Sequence, residues 1–158
     1  SGWGNAGGNY YGTLFSASGR TSGAENPEDP SGCAPFNVDQ RGSGSAFKYG
    51  DFKVQFTFCV DPSKIGEGFV PYSNGKGTFY LSNGDILYGE GNGRVILTPT
   101  ASGADAYFKD TFYFTGAKID GVHKRASGFF TTDSEVFNIF TPNEYTIHKF
   151  VGSLRIID

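Results

Sequence analysis

The sequence has no methionine, one tryptophan, two cysteines and two histidines among its 158 residues. Each shortage excludes something. A translated chain begins with Met, so a chain opening at Ser1 has been processed or truncated. Its small, polar, Gly-rich start, residues 1–8, is what a signal peptidase leaves behind. Export to the periplasm, the cell surface or the medium is therefore expected, with a trimmed chain as the alternative. His123 and His148 lie far apart, and the cysteines have no metal-ligand spacing, so no metal is expected and both imidazoles are assigned to the surface. No Lys/Arg cluster exists beyond Lys124-Arg125, and the net charge is -3, which argues against a nucleic-acid or anionic-membrane partner. No apolar run approaches the roughly 18 residues of a membrane-spanning helix. No serine sits in a nucleophile-elbow pattern, no carboxylate pair is legible, and no cofactor is indicated.

What is present is aromatic and glycine-rich: 16% of residues are Phe, Trp or Tyr, and there are 24 Gly. Aromatic and β-branched runs punctuated by Gly mark a sheet protein. The clearest strand is residues 52–60, where Phe52, Val54, Phe56, Phe58 and Val60 alternate with Lys53, Gln55, Thr57 and Cys59. A period of two puts every apolar side chain on one face and Cys59 on the other. Further strands are expected at residues 9–16, 77–82, 85–91, 94–98, 106–116, 125–132 and 145–157. Turns are expected at Asn83-Gly84 and Asn92-Gly93, and loops at residues 63–76, 99–105 and 117–124. Residues 134–143 suit a short helical turn.

Residues 17–45 hold Pro27, Pro30 and Pro35 among many Gly, Ser and Asp, and read as a long loop. Cys33 lies in it, and a disulfide to Cys59 would pin it to the sheet. Closing the intervening loop of about 25 residues is worth on the order of 3 kcal/mol. Two unpaired thiols are the alternative. The expected architecture is an all-β single domain over residues 1–158, with an N-terminal arm at residues 1–8. About eight antiparallel strands would close into a barrel, and a β-sandwich is the alternative.

Three segments resemble the allene oxide cyclase barrel family, a lipocalin-like eight-stranded fold. They are Gly50-Asp51-Phe52 leading to Phe58-Cys59-Val60; Gly77-Thr78-Phe79-Tyr80 with Asn83-Gly84-Asp85 and Gly89-Glu90-Gly91; and residues 110–116 followed by Ala126-Ser127-Gly128. The likeness spans residues 50–132 and rests on structural glycines and turns. Thr115-Gly116-Ala117 departs from it where a second Gly is usual, as does a longer loop before Ala126. The resemblance implies a barrel that can hold a pocket. The family's polar catalytic set is not placed on this chain, so cyclase chemistry is not carried over.

The functional candidates follow from that scaffold. Gly89-Glu90-Gly91-Asn92-Gly93 lies between strands rather than before a helix, so it reads as a sheet bend and not a phosphate loop. Of the carboxylates Asp85, Glu90, Asp105 and Asp110, Glu90 is the first choice for one inside the barrel, because Ile86 and Tyr88 share its side of the strand. With Tyr88 it is the catalytic candidate if the protein is an enzyme. Phe56, Phe58, Phe79, Tyr88, Phe112 and Phe114 either line a pocket for an apolar ligand or fill the core, and packing density favours filling. Three functions compete. The preferred one is a non-enzymatic accessory or structural subunit acting through protein–protein contacts. The others are a lipocalin-like binder of a small apolar ligand, and a cyclase or isomerase. The interior decides among them.

Overall fold

A computed structural model describes residues 13–26 and 36–157. Eight strands follow in chain order: β1 Thr13–Asn26, β2 Phe36–Ala46, β3 Gly50–Val60, β4 Phe69–Leu81, β5 Ile86–Thr100, β6 Gly103–Ile119, β7 Val122–Phe137 and β8 Tyr145–Ile157. Each pairs antiparallel with the next, and β1 pairs with β8 from Thr13↔Leu154 to Ser22↔Tyr145, so the sheet is a closed barrel. The fold class expected from the alternating pattern is the one observed. Among the described residues no helix is long and apolar enough to cross a membrane.

Strand β3 shows why. Phe52, Val54, Phe56 and Phe58 are buried inside, while Lys53, Gln55 and Thr57 face outward. Strands β6 and β8 repeat this alternation, burying Phe108, Phe112 and Phe114 on the one and Phe150, Leu154 and Ile156 on the other.

Several boundaries differ from the sequence expectation. The stretch 17–45 is not a loop over its described part: β1 and β2 pair continuously from Ala17↔Ala46 to Asn26↔Asn37. The inward positions there include Ala17, Gly19, Thr21, Gly42 and Gly44, so no apolar alternation announced these strands. Residues 1–8, the start of the expected strand at 9–16, and Cys33 lie outside the described residues. The Asn92-Gly93 turn does not form, because β5 runs through it. The expected loop at 63–76 shrinks to a short 3-10 helix, Pro62–Glu67, capped by Asp61, whose carboxylate accepts from the Ser63 N–H. The loop at 99–105 is a tight turn at residues 101–102, and that at 117–124 a turn at Asp120-Gly121. Residues 138–144 form turns and no helix, because β7 runs on to Phe137.

One half of the barrel is solid. Phe15, Phe56, Phe79, Phe112, Phe114, Phe130 and Phe150 form a continuous cluster of rings at mostly edge-on or tilted angles. Such pairs add attraction beyond the area they bury. Space for them comes from inward glycines. A Cβ on Gly77 would lie 2.5 Å from the Phe56 ring, one on Gly89 2.8 Å from Phe130 and one on Gly91 2.8 Å from Phe112. Eight strands leave a narrow interior, and glycine on one wall makes room for a ring from another.

Candidate functional site

Toward the other end the inward residues are mostly smaller and the rings thin out to Phe58, Tyr72 and Phe108. Below the β3–β4 and β7–β8 connections the interior opens into a cavity of about 640 Å³. Its walls are Val38, Phe58, Val60, Val70, Tyr72, Val95, Phe108 and Val136, with Gln40 and Gly23 on β2 and β1. Pro62 and Ile65 of the 3-10 helix and Ile139, Phe140, Thr141, Pro142 and Glu144 of the β7–β8 connection form the mouth. The walls are apolar and the polar groups few, the usual make-up of a small-molecule site, and the volume lies in the range of such sites.

A layer of polar side chains separates cavity from rings. His148 is 1% exposed and stacks on Phe150. Its Nε2 lies 2.8 Å from Thr21 Oγ1 and its Nδ1 2.9 Å from Ser134 Oγ. Thr21 in turn donates to Gln40 Oε1 at 3.3 Å. Thr21 has one hydroxyl proton, and Gln40 takes it, so Thr21 accepts from His148 Nε2–H. A neutral imidazole then has a bare Nδ1, to which Ser134 donates. This tautomer is assigned from the hydrogen-bond directions. Burial pushes the His148 pKa down to about 3, so the ring is neutral at ordinary pH. The surface position expected for His148 is therefore wrong. Its parity with Phe150, Leu154 and Ile156 along β8 was the available signal.

Ser134 and His148 have the separation of a nucleophile–base pair. Both are fully buried, and neither lines the cavity. The geometry is that of a structural relay.

A second polar pair sits in the wall. The β5–β6 ladder is interrupted between Gly91↔Phe112 and Ile96↔Tyr107. Asp110 points inward at this gap, with its carboxylate lying over Gly93, where a Cβ would meet it at 2.3 Å. The Tyr72 hydroxyl donates to it. Burial, and then the neighbouring carboxylate, raise the Tyr72 pKa well above the phenol range, so Tyr72 holds its proton. Among the described residues no group of three or more His, Cys, Asp or Glu side chains is arranged to hold a metal ion.

The structure redistributes the residues singled out from sequence. Of the six aromatic candidates only Phe58 lines the cavity. Phe56, Phe79, Phe112 and Phe114 belong to the packed rings. Tyr88 and Glu90 are on the outer wall, beside a shallow depression shared with Lys76 and Thr115, and Glu90 is exposed. Glu90 does share a side with Ile86 and Tyr88, but that side is the outside. The inward positions of β5 are Leu87, Gly89, Gly91, Gly93 and Val95. Asp85 is buried at the β4–β5 turn, where it accepts from the Asp120 N–H. Asp105 accepts from the Asn138 N–H at the mouth end. Cys59 is half-buried on the outward face of β3, 3.6 Å from Asn74 Nδ2.

Comparisons with protein-family models, curated proteins and solved structures find no match to this chain.

Proposed function

We propose that this protein is an exported barrel, of the allene oxide cyclase-like kind, that binds a small apolar molecule in the open half of its interior. The cavity of about 640 Å³ carries the reading. A barrel serving only as a scaffold for protein contacts gains nothing from leaving half its interior unfilled, since each unfilled void costs stability. The cavity therefore favours a binder over the accessory-subunit reading. The cyclase or isomerase reading loses its residues, because Glu90 and Tyr88 face outward.

The test is titration of the protein with the neutral fluorophore N-phenyl-naphthylamine. Saturable binding that is lost in Val136→Trp, a variant that fills the cavity from β7, is expected. Binding unchanged by Val136→Trp would place the dye elsewhere and refute the reading.

A further inference from the structure

We infer that the ligand is uncharged, apolar along most of its length, and carries one hydrogen-bond acceptor, a ketone, aldehyde or ester carbonyl, seated against the Gln40 amide. This inference rests on the pocket reading and deepens it.

The cavity has few hydrogen-bonding atoms to offer a guest. Gln40 is 6% exposed and lines the cavity. Its Oε1 already receives the Thr21 hydroxyl proton at 3.3 Å, and the Thr21 oxygen also lies 2.8 Å from His148 Nε2. With one of the two Oε1 lone pairs taken by Thr21, what the Gln40 amide has left for a ligand is chiefly its pair of N–H donors. The hydroxyl of Tyr72, a second polar group in the wall, donates to Asp110, and its raised pKa keeps it from becoming an anion. A guest that buries beside Gln40 must therefore supply an acceptor, or leave buried donors unmatched.

Charge narrows the class further. Among the described lining residues the only charged side chain is Glu144, at the mouth. No lysine or arginine there compensates a carboxylate head, and desolvating an unpaired carboxylate in an apolar cavity is costly. An uncharged carbonyl meets the amide donors without that cost.

The experiment is displacement of N-phenyl-naphthylamine by four molecules of equal chain length: tridecane, methyl undecyl ketone, tridecanol and tridecanoate. The ketone is expected to bind about five- to tenfold tighter than the alkane, the worth of one added hydrogen bond. It is also expected to bind more tightly than the carboxylate. In Gln40→Leu and Gln40→Glu the ketone's advantage over the alkane, both measured on the same variant, should vanish, each variant's fold being checked by thermal melting. A ketone that binds wild-type protein no better than the alkane overturns the inference and leaves the pocket reading standing. An advantage for the alcohol without one for the ketone means a reversed amide and also overturns it. A dye that does not bind refutes the pocket reading itself. The wild-type series decides even if both variants fail to fold.

Discussion

Thr21 Oγ1 and His148 Nε2, 2.8 Å apart, join the first strand of the barrel to the last. They lie on β1 and β8, the pair whose contact closes the sheet. The seam is thus held inside by a hydrogen bond to a neutral imidazole as well as by its ladder.

The burial of that imidazole makes stability depend on pH. The folded His148 pKa is about 3, against 6.5 for an unburied imidazole. Between those values the unfolded chain binds a proton that the folded chain does not, so stability falls as pH drops through the window. Each pH unit is worth at most about 1.4 kcal/mol, for a total of a few kcal/mol. Urea unfolding of wild type and His148→Gln at pH 7 and pH 4 should show a smaller acid loss in the variant. Equal losses would mean that His148 is not the group responsible.

The fit of Gly77 against Phe56 predicts a coupled pair. Gly77→Ala should destabilise by about 1–3 kcal/mol, because its methyl group enters the Phe56 ring. In Phe56→Leu the ring is gone, and the same alanine should cost less, with a coupling above about 0.5 kcal/mol in a double-mutant cycle. Strictly additive losses measured by chemical denaturation would show that the ring does not need the glycine.

A disulfide between Cys33 and Cys59 remains the proposal for the two cysteines. Asn37 is the register partner of Cys59 and Phe36 that of Val60, which brings the chain that follows Cys33 to the Cys59 edge of β3. Alkylation of the native protein should leave Cys59 unmodified until a reductant is added. Reduction should cost on the order of 3 kcal/mol for a loop of about 25 residues. Labelling of Cys59 without reductant would exclude the bridge.

The legible parts of the sequence were those where inward positions carry large apolar groups. Strand β3 could be read at once, and β8 matched its expected span of residues 145–157 because Phe150, Leu154 and Ile156 keep one parity. Strand β1 was legible only over residues 13–16, and β2 not at all, since Gly42 and Gly44 face inward and leave their space to a neighbour; a Cβ on Gly44 would meet the Phe52 ring at 2.6 Å. The same exchange misled the reading of β5. Glycines mark its inner face, so the better-looking apolar face, Ile86 and Tyr88, was the outer one, and Glu90 went with it. Alternation tells which side a residue faces but not its height along the barrel axis. The aromatic set was therefore legible as interior for five of its six members, while only Phe58 was at the level of the cavity. Gln40 had no signal, because a lone amide among Gly, Ser and Asp residues looks like loop.

The interlocked phenylalanines at the base have a consequence for traffic. They make the molecule a cup and not a conduit: whatever enters must leave by the same rim. Ile65 and Phe140 stand at that rim, so for a ligand in the proposed pocket the rates of loading and release would be set there. Bulk added at either side chain would slow both rates together and leave the equilibrium between free and held cargo nearly untouched.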